Sequence, residues 1–154
     1  MKKLLSVQTT SNAVDLALLI ARIGIAALML THGLPKLAML FSGDPVQFLP
    51  LLGLNAEFSL SLAVFAEVFC SLLLLVGFGT RLATLPLITT MVVALLFVHA
   101  ADPIAKQEPA LHYLLVYFVL LFAGSGKYSL DYWLHRRIAQ RSAAQINSNT
   151  LSVQ

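Results

Sequence analysis

The chain has 154 residues, 58% of them hydrophobic and 11% charged, with a formal net charge of +3. A soluble domain carries about a quarter of its residues charged, so this composition, with a mean hydropathy of +0.84, excludes an ordinary water-soluble enzyme. It predicts one small all-α domain embedded in a lipid bilayer, with no separate catalytic domain and no nucleic-acid partner; the basic ends suit anionic lipid headgroups.

Residues 1–14 read as a short polar lead at the cytoplasmic face. Lys2 and Lys3 are separated from the first apolar run by a polar stretch, and no small-residue cleavage site follows, so that run is expected to be an uncleaved membrane helix. It spans 15–34. Residues 36–55 hold Gly43, Pro45, Pro50 and Gly53 and form a loop. Phe41, Phe48, Leu49 and Leu51 make that loop apolar enough to lie on the membrane interface, fold over the bundle or dock a partner. A second helix runs over 56–78 and stops at Gly77-Phe78-Gly79. A third covers 82–101, with Pro86 near its first turn, where a missing N–H is tolerated. A fourth starts at Pro109 behind Glu108 and ends at Gly124, short for a span. Tyr128, Tyr132 and Trp133 then read as an aromatic belt, followed by His135, Arg136, Arg137 and Arg141. Residues 127–154 make a basic, then polar tail, disordered from Ser142 onward.

Four spans put Lys2, Lys3, Arg81 and the basic tail on one side, so the expected fold is a four-helix transmembrane bundle (15–126) with both termini cytoplasmic. The chain is thus expected to be a multi-pass membrane protein.

Arg22 interrupts the first apolar run, and a guanidinium in lipid is costly unless answered. Measured from Lys36, Arg22 lies about 21 Å along its helix, and measured from Glu57, Glu67 lies about 15 Å along the second. Both then fall near mid-bilayer, which predicts an Arg22–Glu67 ion pair. That pair is either a structural clasp or part of a proton or quinone-headgroup site. Nearer the outer face stand His32 and Lys36, neighbours on one helix face, with His99 and His112 at the ends of later helices. Three histidines from three helices suit a metal, two suit haem, and His with Lys suits the carbonyls of a quinone, but the spacing matches no metal motif. The candidate site is therefore Glu67 and His32 as proton-handling residues, with Arg22, Lys36, His99 and His112 binding substrate, and no metal. Tyr113 and Tyr117 share a turn and belong either to packing or to the interface. The one cysteine, Cys70, excludes an intramolecular disulfide and a Cys-x-x-Cys pair, and reads as a small packing residue.

Several short patterns occur in order: Arg22-x-Gly24, His32-Gly33-x-x-Lys36, Ala66-Glu67, Gly77-Phe78-Gly79-Thr80-Arg81-Leu82-Ala83, His99, and Gly124-x-Gly126-x-Tyr128-Ser129-Leu130-Asp131. Together they resemble the DoxX family from about residue 17 to residue 131. The resemblance implies a four-helix bundle in the bacterial inner membrane and a link to quinol oxidation and thiosulfate:quinone oxidoreduction. Many members carry an oxidoreductase name without a known reaction. Where relatives often have glycine after the second-helix glutamate, this chain has Cys70-Ser71. Three functions follow as alternatives. One is a quinone-linked redox component with a separate electron partner; the others are a non-catalytic subunit of a membrane complex and a small anion or weak-acid transporter that uses Arg22. A homo-oligomer is compatible with each.

Overall fold

The computed structural model describes residues 11–50 and 53–151, with side chains through residue 141. Lys2, Lys3, Leu51, Leu52 and most of the polar lead lie outside the described residues. Everything regular among the described residues is helical: α1 (Ser11–Phe41), α2 (Ala56–Val76), α3 (Thr80–Val98), α4 (Ile104–Ala123) and α5 (Leu130–Leu151). The helices α1, α2 and α3 are long and apolar enough to cross a membrane.

The helix bounds correct the sequence-based ones in three places. First, α1 is 31 residues long and passes straight through Pro35. Proline removes only one amide from the ladder, whereas leaving the helix inside an apolar layer would strand several backbone groups. The extra turns carry Lys36 inside the helix rather than beyond it. Second, α4 begins at Ile104, not at Pro109. The first turn tolerates Lys106, Gln107 and Glu108 because its amides need no intrahelical partner. Third, the tail is helical where it is described: the backbone remains helical from Leu130 to Leu151, through a stretch whose Ala and Gln residues favour helix.

Helix α1 runs antiparallel to α2, and α3 and α4 complete a ring in which α1 meets α4 along the least extensive seam. The core is built from small and medium residues on facing stripes: Ala26 and Met29 of α1, Cys70 and Leu74 of α2, Ala83 and Leu87 of α3, Tyr117 and Leu120 of α4. The outward faces are equally apolar. Ile20, Leu28, Phe69, Leu96, Leu115 and Phe122 are all exposed. A soluble monomer does not present so continuous an apolar surface, so lipid is the solvent for these faces.

Two helices leave regular α geometry. Residues Phe65–Cys70 of α2 and Ala94–Val98 of α3 are π-helical. An extra residue per turn of this kind re-aims side chains and recurs at functional sites. The π segment of α2 carries Glu67.

At one end of the bundle α2 stops at Gly77, whose φ of +69° lies in the left-handed region. A Cβ there would sit 2.7 Å from Arg22 Nη1 and 2.7 Å from Ser129 Cβ. Gly77→Ala is therefore expected to lower stability by about 2 kcal/mol or more, from the left-handed backbone plus the overlap. Gly24→Ala, where an added Cβ meets nothing within 4 Å, should be neutral or stabilising by up to about 1 kcal/mol. Thermal unfolding of both variants in one detergent checks the contrast.

Candidate functional site

The intramembrane charges separate into two layers, and the predicted Arg22–Glu67 pair does not form. Arg22 is 1% exposed. Its Nη1 donates to the Ser125 carbonyl at 2.5 Å and its Nη2 to the Tyr128 carbonyl at 2.7 Å. Both carbonyls belong to the α4–α5 connection. Lys36 is not the end of α1, which continues to Phe41, so depth counted from Lys36 does not place Arg22 at the level of Glu67. In the folded chain Arg22 is level with Gly77, and Glu67 lies ten positions further up α2, about 15 Å away along the axis.

The same end is closed by a second set of bonds. The Asp131 carboxylate accepts from the Gly79 amide at 2.8 Å and the Thr80 amide at 3.2 Å. These are unpaired donors at the start of α3, where negative charge is favourable. The Asp131 amide donates to the Gly77 carbonyl at 3.0 Å. Arg81 Nη2 donates to the Phe122 carbonyl at 3.1 Å. Lys127 pairs with Asp15 at 3.1 Å, and its amide donates to the same carboxylate. The glycine-bearing motifs at 77–81 and 124–131 thus grip one another around Arg22. Sequence reading found these segments but not their partnership, because a carbonyl acceptor leaves no side-chain signature.

The other layer holds Glu67, which is 1% exposed and pairs with Lys36 at 2.5 Å. Lys36 is half-buried, and its ammonium also lies 5.9 Å from the centroid of Phe48, in the segment that follows α1. The pair depends on Gly33: a Cβ at Gly33 would come 3.0 Å from the Glu67 backbone and 2.8 Å from Val68 Cγ2. The missing side chain lets α1 lie against the π segment of α2. His32, exposed, meets Tyr113 of α4 edge-on with centroids 5.9 Å apart, and Tyr113 and Tyr117 follow at 6.0 Å. Three buried oxygens in this region, Glu67 Oε2, Ser71 Oγ and Tyr117 Oη, have no hydrogen-bond partner. Buried polar atoms are nearly always paired, so three unpaired oxygens together call for an explanation.

His99 and His112 stand apart from this layer. His99 Nδ1 hydrogen-bonds Asp102 at 2.8 Å in the α3–α4 connection, and that bond holds the partly exposed Asp102 carboxyl below its ordinary range. His112 is exposed on α4, 4.0 Å from Glu108. Neither makes a hydrogen bond or ion pair to Glu67 or Lys36, and no three His, Cys, Asp or Glu side chains converge among the described residues. Of the six predicted site residues, the structure joins Lys36 to Glu67 and sets His32 beside them on Gly33's flank, while Arg22, His99 and His112 serve elsewhere.

Two cavities lie outside the Glu67 layer. One, of about 590 Å³, opens between the start of α3, the α4–α5 connection and α5, lined by Asp15, Arg81, Lys127 and His135. The other, about 610 Å³, is an apolar cleft between α2 and α3 lined by Leu62, Phe65, Leu85 and Pro86.

The DoxX family model matches residues 17–100, more than half of the chain. This chain belongs to the DoxX family. The matched region holds both charged layers' α1 and α2 residues, Arg22, His32, Lys36 and Glu67, and stops before the 124–131 connection that closes on Arg22. No curated protein and no solved structure matches the chain.

Arg22→Met leaves the partly buried Ser125 and Tyr128 carbonyls without their donor, so it should cost about 2–5 kcal/mol of stability. Glu67→Gln keeps an acceptor for Lys36 and should cost less than about 2 kcal/mol. Unfolding of the two variants, followed by circular dichroism in detergent, orders them.

Proposed function

We propose that this DoxX protein is a quinone-binding redox component of the bacterial inner membrane, with the Lys36–Glu67 pair as its headgroup site. The observation that carries this reading is the divided state of Glu67. One carboxylate oxygen is held by a half-buried lysine and the other, on a π-helical turn at membrane depth, has no partner. An intramembrane carboxylate that nothing fully satisfies favours function over register.

The chain's residues suit the chemistry. Lys36 donates to a quinone carbonyl oxygen, and its ammonium favours the reduced, more negative headgroup. Glu67 accepts a proton from the quinol hydroxyl, and His32, exposed one turn below Lys36, passes it outward. Tyr113 lies against His32 and provides an aromatic wall. Entry is through the α1–α4 seam, with Lys36 swinging off Glu67 and out from under Phe48. Oxidation of a quinol releases two electrons and two protons; the protons leave through Glu67 and His32, and the electrons pass to a separate partner protein that carries a redox centre.

The topology belongs to the same reading. The helix α4 is taken as a fourth span whose polar first turn sits at the interface, and both termini are cytoplasmic. The end bearing Arg81, Lys127, Arg136, Arg137 and Arg141 then faces the cytoplasm, as the positive-inside rule requires. Anion transport through Arg22 is not favoured, because both of its terminal amino groups are held by carbonyls.

The protein purified in mild detergent should retain quinone measurable in its lipid extract. Glu67→Gln and Lys36→Met should each reduce that retention about tenfold or more, the effect of losing one charge-assisted hydrogen bond, while helical content stays unchanged. Wild-type protein free of quinone, or variants that retain it fully, would sink the assignment.

A further inference from the structure

The helix α5 is unlike the rest of the molecule. It leaves the bundle after Asp131 has capped α3, and beyond that residue it packs little against the other helices. Leu130, Trp133, Arg137 and Arg141 follow one another at three- and four-residue spacing, so they share a helix face. Trp133 is 50% exposed, and Arg136, Arg137 and Arg141 are exposed as well. The Arg137 guanidinium lies 4.8 Å from the Trp133 ring centroid, and Arg136 lies 6.0 Å from that of Tyr132. No acidic residue follows Asp131 in the rest of the chain.

Neither a wholly apolar nor a wholly charged face explains this pattern. Indole rings favour the headgroup level, where an apolar body and a polar N–H are both accommodated. Arginine stems lie along apolar surface while the guanidinium reaches water or phosphate. A short stretch that alternates the two and carries only positive charge is complementary to an anionic headgroup layer. Its position fits: α5 starts at the bundle end where Arg81 and Lys127 also stand, beside the lipid-facing Leu82 and Phe122.

We propose that the exposed Trp133–Arg137–Arg141 face of α5, with Arg136 beside it, binds the acidic phospholipid headgroups of the membrane surrounding the bundle. The helix thereby lies along the surface rather than projecting into water. This inference is independent of the Lys36–Glu67 site.

Trp133 is the sole tryptophan, so the full-length protein carries its own reporter. It is reconstituted into vesicles of phosphatidylcholine alone and of phosphatidylcholine mixed with phosphatidylglycerol. Only the mixed vesicles should shift Trp133 emission to the blue and shield it from aqueous iodide. Salt at about 1 M, where the Debye length falls to about 3 Å, should reverse both. The double variant Arg136→Gln/Arg137→Gln should lose the phosphatidylglycerol dependence while its helical content is unchanged. Equal emission in the two vesicle types would overturn the proposal. So would a blue shift that follows protein-to-lipid ratio rather than phosphatidylglycerol content, since a second copy of the chain would then be covering Trp133.

Discussion

A guanidinium held in a low-dielectric interior must be answered by the protein itself, and Arg22 is answered by backbone. Two carbonyls of the α4–α5 connection take its terminal amino groups, and Gly77 supplies the space beside it. Because those acceptors come from a segment more than a hundred positions away, a single side chain ties the first helix to the last turn of the bundle. Asp131 completes the closure by occupying the free amides of α3. The ends of four helices are thus joined at one level, with each buried donor on this face set against an acceptor, apart from Arg22 Nε and Thr80 Oγ1.

The second charged layer is built on a different principle. Lys36 reaches Glu67 from the surface side, is half-buried, and leaves one carboxylate oxygen and two neighbouring hydroxyls unpaired. A purely structural pair would be expected to satisfy its lone pairs, since a partly satisfied buried network is worse than an apolar core. The close approach that makes the pair possible comes from Gly33 against the π segment of α2. Hydrogen bonds between distant segments are concentrated at the Arg22 end, and the unpaired carboxylate oxygen lies at the Glu67 end.

Membership in the DoxX family rests on residues 17–100, which contain the charged residues of α1 and α2 but not the connection that closes on Arg22. The roles of Gly77 and Gly79 therefore become intelligible only with the segment beyond the match: Gly77 makes room for Arg22 and its carbonyl accepts from the Asp131 amide, while the Gly79 amide donates to the Asp131 carboxylate. Cys70 and Ser71 are both buried on the inner face of α2.

Hydropathy and helix-stop signals were enough to establish the all-α membrane class, the start of α2 and the turn at Gly77, and the order of short residue motifs was enough for the family. They were enough because the transfer of an apolar run out of water is a local property, additive along the chain. They also singled out Arg22, Lys36, His32 and Glu67 as costly residues needing partners. Which partner each one takes was decided only in three dimensions. The antiparallel register of α1 on α2 sets Lys36, not Arg22, opposite Glu67, and that register depends on α1 continuing through Pro35 and on Gly33 admitting the π turn. Backbone carbonyls as the counterpart of Arg22, and a carboxylate from α5 as the cap of α3, are contacts between distant segments. Pairing of that kind follows from how helix ends meet in space, and no spacing within one helix records it.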